Sequence, residues 1–362
     1  MSVKTSKRVI VGLSGGVDSA VAALLLKEQG YQVEGLFMKN WIEDDTETFC
    51  SASIDVKDAK AVCEKLDIPL HTVNFSDEYW NDVFEHCLTE YRLGRTPNPD
   101  ILCNREIKFK AFLNHALKLG ADYIATGHYA KKINKDEANY ELHKAKDTQK
   151  DQSYFLFTLD QFALSKALFP ISDIDKSLVR KRAYDAGFQN YDKKDSTGIC
   201  FIGERKFRSF LKQYIPAQPG SIETAEGKIV GRHEGLMFYT LGQRQGLGIG
   251  GQALGNGMPW YVVNKDLERN VLIVGQGIDH PLLYSETLTA NQLHWITAAP
   301  SSTEFSCTAK IRYRQSDQAC AVSLKEDGSC FVAFDKAQRA ITPGQSIVFY
   351  QNQTCLGGGI IL

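Results

Sequence analysis

No two cysteines in these 362 residues are spaced C-x-x-C. That disfavours a zinc ribbon and a thioredoxin-type motif. Long apolar runs are lacking too. The longest, Ala20 to Leu26, falls far short of the roughly 20 residues that span a bilayer, so no transmembrane helix and no membrane partner are expected. Met1 to Arg8 is polar and basic and leads into a strand-like run. It does not read as a secretory signal, and a cytoplasmic protein is expected. There is no excess of one charge: 42 Lys and Arg face 43 Asp and Glu, a formal net charge of -1. A wholly basic nucleic-acid coat is excluded, but a local basic face is not. No internal repeat and no low-complexity tract occurs. What is present is an ordinary globular composition, 43% hydrophobic and 23% charged, in a chain too long for one core. Most of the nine cysteines read as reduced, small core residues.

Strand and helix patterns alternate through the first half. Arg8–Leu13, Gln32–Met38, Pro69–Val73 and Asp122–Thr126 read as strands. Ser19–Gln29, Ile54–Leu66, Asp77–Leu93 and Arg105–Leu119 read as helices, with Pro97 and Pro99 in a loop between the last two. Alternation of this kind implies parallel pairing and right-handed crossovers, hence a doubly wound α/β sheet. Beyond it, glycine-rich turns mix with short strands and one short helix. From about Leu283 the pattern is short alternating segments such as CTAKIRYRQ and QSIVFYQ, which suggests a small all-β barrel or sandwich. The expected domains are 1–205 (α/β), 206–280 (small, mixed α+β) and 281–362 (β-barrel).

The strongest local signal is Ser14-Gly15-Gly16-Val17-Asp18-Ser19, between the first strand and first helix. Glycines expose N–H groups and let a ligand approach closely. The helix N-terminus adds orphan donors and a positive dipole end. Two serine hydroxyls complete an anion cradle suited to phosphate. A glycine pair alone would also suit a tight turn with Asp18 or Ser19 as N-cap. Position, serines and the apolar strand favour the cradle. No lysine sits in the loop, so this is not the phosphate loop of γ-phosphate hydrolases. Gly246 to Gly251 satisfies G-x-G-x-x-G, but the following QALGNGMPW cannot open a helix, and a dinucleotide site is rejected.

Two cysteines have unusual surroundings. Cys103 follows TPNPDIL and precedes a helix carrying Arg105 and Lys108; Cys200 lies in DSTGICFIGERK. Helix starts and nearby cations lower a thiol pKa. Taken singly, each is equally consistent with an inert loop residue. Asp100, three residues before Cys103, is a candidate general acid or base, or else a simple cap on the approach to the helix. Between Lys176 and Lys212, ten basic residues face four acidic ones, a local net charge of +6. This stretch reads as a phosphate-contact stripe, or as a solvated helical face. Lys310, Arg312 and Arg314 alternate, so one strand face would carry three cations.

SGGVDS resembles the loop of the ATP pyrophosphatase (PP-loop) family, whose members cleave ATP between the α and β phosphates and adenylate a substrate. The combination of SGGVDS, NPDILCN, KDQSYFL and DSTGICFIGER is more specific. So are GLFMKNW, TGHY, TLGQRQGLGIGG, RYRQ and CLGGGII. Together they resemble the bacterial tRNA-specific 2-thiouridylase family over nearly the whole chain. The resemblance implies ATP-dependent thiolation of the tRNA wobble uridine at carbon 2. ATP with Mg²⁺ would bind at Gly12, Leu13, Ser14, Gly15, Gly16, Val17, Asp18, Ser19, Met38 and Gly127, with Asp18 helping to hold the metal. No protein-held metal site is otherwise expected. Cys200 would carry a persulfide received from a cysteine desulfurase or sulfur-relay protein. Cys103 would be the attacking thiol, with Asp100 assisting. Asn98, Pro99 and Asp100 would meet the target base. Lys150, Asp151, Gln152, Arg312 and Tyr313 would meet the tRNA, whose anticodon loop must offer the base flipped out. The alternatives are another PP-loop adenylating ligase, which needs neither cysteine, and a non-catalytic nucleotide-binding protein.

Overall fold

The computed structural model describes residues 6–41, 51–136, 139–195, 207–249 and 257–362. Cys200, Arg205 and Lys206 lie outside the described residues.

The first domain is built on β1 (Arg8–Gly12), β2 (Gln32–Lys39), β3 (Leu70–Asn74) and β4 (Tyr123–Ala125). After a hairpin of β5 (Ala130–Asn134) and β6 (Tyr140–Lys144) comes a short fifth sheet strand, β7 (Ala167–Leu168). The sheet is parallel, in the order β3-β2-β1-β4-β7. Val9, Ile10 and Val11 of β1 have no exposed surface, as expected of a central strand covered on both faces. On one face Val9 and Val11 pack with the helices Val17–Glu28, Ser51–Leu66 and Lys176–Asp185. On the other, Ile10 and Leu36 pack with helical stretches spanning 76–92 and 99–118. The doubly wound reading holds. Each of the latter stretches contains a π-helical portion, Trp80–Phe84 and Cys103–Ala111; such wider turns recur at functional sites.

One expectation is corrected here. Pro99 does not sit in a loop ahead of a helix at Arg105; it is the first residue of the helix Pro99–Leu102, which runs on without interruption through Cys103. The Asn98 side chain accepts from the amides of Asp100 and Ile101. An asparagine cap followed by proline at the first helical position is a favoured helix start, because that amide would be orphaned anyway.

The middle domain pairs β8 (Gly220–Thr224), β9 (Ile229–His233), β10 (Trp260–Asp266) and β11 (Val271–Gln276) in the order β10-β11-β8-β9. The last domain has β12 (Tyr284–Trp295), β13 (Glu304–Lys310), β14 (Gln318–Leu324), β15 (Cys330–Arg339), β16 (Ser346–Gln351) and β17 (Thr354–Ile361). They run β12-β15-β14-β13-β16-β17, and β12 pairs with β17 to close a six-stranded barrel. The β5–β6 hairpin of the first domain pairs with β17 through Thr354↔His143 and Cys355↔Leu142, extending the barrel sheet. No described helix is long and apolar enough to cross a membrane.

The strand face of three cations does not form. β13 ends at Lys310, where its ladder with β16 stops, and Arg312 to Arg314 occupy a turn. Arg314 adopts φ 62°. Lys310 turns inward between Asp151 and Asp317, 3.7 Å from each.

Candidate active site

The glycine loop leaves β1 at Gly12 and enters its helix at Val17, with Gly16 as N-cap and no side-chain cap bond. Asp18 and Ser19 are therefore not the cap. Ser19 instead braces the loop: its hydroxyl donates to the Gly16 carbonyl at 3.1 Å and accepts from the Ser14 amide at 3.3 Å. Gly15 has φ +74°, and a Cβ there would lie 2.6 Å from the Asp55 carbonyl oxygen. Both the backbone conformation and the space demand glycine. The Gly15 carbonyl is drawn outward by Asn190 (2.9 Å) and Lys193 (3.2 Å). A Cβ on Gly127 would come within 2.5 Å of the Ser19 amide, so Gly127 lies directly against this loop. Met38 reaches toward Gly12, its Cε 3.4 Å from where a Gly12 Cβ would be. The residues expected at the nucleotide are thus gathered in one place. The N–H groups of the first helical turn and the close-packed glycines suit the phosphates of ATP.

Asp18 is differently engaged. It accepts from the Tyr129 hydroxyl at 2.9 Å and forms an ion pair with Lys176. Burial and the facing Asp18 carboxylate drive the Tyr129 phenol far above its usual range. Lys176 thus holds both oxygens of the Asp18 carboxylate. Among the described residues, no cluster of three or more His, Cys, Asp or Glu could hold a metal ion.

Lys176 also reaches Asp195 at 2.7 Å, and Asp195 accepts from Lys150 at 2.5 Å. Burial raises the Asp195 pKa, but hydrogen bonds from Lys150 and Lys176 outweigh it and bring the carboxyl to about 2. Lys150 in turn offers its carbonyl to the Tyr313 hydroxyl at 3.4 Å. Tyr313 packs on Phe155, ring centroids 4.5 Å apart. The Phe155 carbonyl accepts from the Asn104 side chain at 3.1 Å, beside fully buried Cys103. Polar contacts and one aromatic contact therefore run from the glycine loop through Lys150 and the barrel turn to the Cys103 helix.

Other residues expected at the tRNA also have partners within the chain. The Asp151 carboxylate accepts from the amides of Ala145 and Ser153 and from the Ser153 hydroxyl. The Gln152 side chain accepts from the Tyr129 amide at 3.0 Å. Arg312 donates to the Arg339 carbonyl and is half buried.

Much of the basic stretch is neutralised by acids from elsewhere in the chain. Lys193 pairs with Asp55 and Asp58, Arg182 with Glu28, Lys212 with Glu234, and Lys176 with Asp18. Among the described residues of the stretch, much of the positive charge is thus paired within the chain.

Of the seven cysteines expected to be packing residues, Cys63, Cys87, Cys307, Cys320, Cys330 and Cys355 are buried, and Cys50 lies outside the described residues. Burial pushes the Cys63 thiol up to about 11 and Cys87 to about 12, which keeps both protonated.

A tRNA-specific 2-thiouridylase MnmA from Pseudoalteromonas translucida is 60% identical over 362 residues, all of this chain and 99% of that protein. This chain belongs to the tRNA-specific 2-thiouridylase family. A second thiouridylase, from Hydrogenovibrio crunogenus, is 60% identical over 98% of this chain and 93% of its own. Family models match in sequence order: a tRNA methyl transferase HUP domain at 7–204, a tRNA methyl transferase PRC-barrel domain at 208–276, and an aminomethyltransferase beta-barrel domain at 285–361. Solved structures are more distant. An NMN synthetase from Francisella tularensis shares 17% identity at a TM-score of 0.35, covering 56% of this chain and 72% of that one. A 4-thiouridine synthetase in complex with RNA and ATP shares 16% at 0.35, covering 58% and 50%.

Tyr129, Asn190, Lys193 and Asp195 support the nucleotide loop although the sequence marks none of them for that role; Lys176, Lys193 and Asp195 enter the sequence reading only through the charge count. Tyr129 and Asp195 stand within TGHY and the DSTGIC stretch, which was a usable signal. Nothing local marks Asn190 or Lys193.

Proposed function

We propose that this chain catalyses ATP-dependent 2-thiolation of the wobble uridine of tRNA. The uridine carbonyl belongs to a urea-like ring and its oxygen is a poor leaving group. Transfer of AMP from ATP to that oxygen, with release of pyrophosphate, turns it into a good one. The glycine-loop N–H groups stabilise the phosphates as charge develops, and Mg²⁺ carried with ATP adds to this. The outer sulfur of a Cys200 persulfide then bonds to carbon 2 and AMP departs. The Cys103 thiolate attacks the inner sulfur, the S–S bond breaks, and its electrons leave with the sulfur now on uridine. A Cys103–Cys200 disulfide remains, which a thiol reductant reopens. Asp100 serves as general acid or base, and Asn98, Pro99 and Asp100 receive the flipped base.

One observation carries this reading. The Asp18–Lys176–Asp195 bridge ties the nucleotide loop to a residue five positions before Cys200 in the sequence. Adenylation and sulfur delivery require Cys200 to reach the nucleotide, and a tie at Asp195 supports that requirement. The reading also places the protein among soluble cytoplasmic enzymes supplied by a persulfide donor.

Incubation with ATP, Mg²⁺, a persulfide donor and unmodified tRNA tests it. Thiolated tRNA with AMP and pyrophosphate is expected. Formation of ADP and phosphate, or tRNA-independent turnover on a small amine, would overturn it.

A further inference from the structure

The segment 93–98 links two helical stretches, and its backbone groups need partners. The other two domains supply them. Lys265 of the middle domain donates to the Gly94 carbonyl at 2.8 Å, and the Thr96 hydroxyl meets that of Thr240 at 3.3 Å. The barrel contributes most. The Thr96 amide donates to the Pro343 carbonyl at 2.9 Å. Gln345 Nε2 donates to the carbonyls of Thr96 at 2.8 Å and Pro97 at 3.3 Å. Between them Gly344 takes φ +89°, and a Cβ there would lie 3.0 Å from the Thr96 amide nitrogen. The barrel backbone is thus pressed directly onto the segment that ends in Asn98.

Gln345 itself is fixed. Its amide donates to the Thr342 carbonyl at 3.1 Å, and its carbonyl accepts from Ile361 at 2.8 Å. The same barrel loop also receives the Arg312 guanidinium, at the Arg339 carbonyl. The Thr342 hydroxyl donates to the Ala340 carbonyl at 2.9 Å, closing the path from Arg312 to Gln345. The end of β15 and the short loop after it therefore support both Arg312, expected at the tRNA, and the segment that leads into Asn98.

We propose that Gln345 is a positioning residue for thiolation. It sets the height of Asn98, Pro99 and Asp100 relative to the RNA that the barrel holds. The inference rests on the reading that these three residues receive the target base. A primary amide suits the task, since it is neutral and one nitrogen serves two carbonyls. Glutamate would aim a carboxylate at two carbonyl oxygens. Methionine keeps the volume and donates nothing.

The test uses the full-length enzyme carrying Q345M or Q345E. Full-length tRNA with 2-aminopurine beside the wobble uridine reports extrusion of the base by fluorescence. In both variants tRNA affinity and the KM for ATP are expected to hold, while kcat for thiolation falls by about 10- to 100-fold, the scale of a misplaced substrate. The fluorescence change on binding is expected to shrink with it. Melting curves establish that the variants fold; should Q345M fail to, Q345E carries the test. A Q345M enzyme with wild-type kcat, or a loss of tRNA affinity that accounts for the whole drop, overturns the proposal. Wild-type enzyme that makes no thiouridine overturns the underlying function as well, which separates the two failures.

Discussion

Lys176 and Asp18 stand 158 residues apart in sequence and meet in a two-pronged ion pair, Nζ 2.7 Å from each carboxylate oxygen. The same ammonium reaches Asp195 and is only 11% exposed. A loop without a lysine of its own is thereby given one by the helix Lys176–Asp185, distant in sequence but packed on the same face of the sheet.

Removing that lysine would leave two partly buried carboxylates beside the phosphate cradle. Lys176→Met is expected to destabilise the first domain by about 3 kcal/mol, as for other broken buried pairs. It is also expected to raise the KM for ATP, since the loop loses its cation. Lys176→Arg is expected to recover most of the stability. Thermal melting and ATP titration of the three proteins check this; unchanged melting in the methionine variant would refute it.

Asp195 gives the network a pH signature. Its folded pKa, about 2, lies below the ordinary value of 3.8. A depressed carboxylate contributes stability that is fully present above the unfolded pKa and lost as pH falls through the folded one. The stability gap between wild type and Asp195→Asn is therefore expected to narrow from about pH 4 down to about pH 2. Acid unfolding of both proteins measures it, and a gap independent of pH across that window would place the pairing elsewhere.

The sulfur chemistry predicts a separation of steps. Cys200→Ser and Cys103→Ser are each expected to abolish thiolation while ATP binding persists. Wild-type enzyme turned over without reductant is expected to accumulate a Cys103–Cys200 disulfide, visible as a cross-linked peptide by non-reducing mass spectrometry. Normal thiolation by Cys200→Ser would show that the carrier is another residue.

The electrostatics predict a contrast between two cations. Arg312→Ala is expected to weaken tRNA binding and to lower the magnitude of the log–log salt slope by roughly one. Lys193 is already held by Asp55, Asp58 and the Gly15 carbonyl. Lys193→Ala is expected to leave the slope unchanged while impairing ATP binding. Equal slopes for wild type and Arg312→Ala would move the RNA contact away from the barrel turn.

Particular residues show where sequence reading stopped. Val9 to Val11 and the glycines after them announced a buried strand and a phosphate turn, because both signals are local. Pro99 was misread because proline disfavours a helix around it yet suits the first position of one, and only the Asn98 cap decides between the two. The ion pairs of the basic stretch are not legible in the sequence because Glu28, Asp55 and Asp58 are distant in the chain and adjacent in space.

Taken alone, the sequence determined the parallel α/β domain, the β-rich remainder, the anion cradle and the two thiols worth suspecting. These follow from periodicities of two and 3.6 residues and from short motifs, which need no knowledge of distant neighbours. Tertiary structure alone decided that β6 extends the barrel sheet, that Lys310 faces inward, and that Lys176 serves the glycine loop. It alone set Gln345 beneath Thr96 and Pro97. Charges and hydrogen-bonding groups act over a few ångströms of space without regard to chain separation, so their partners become visible only once the chain is folded.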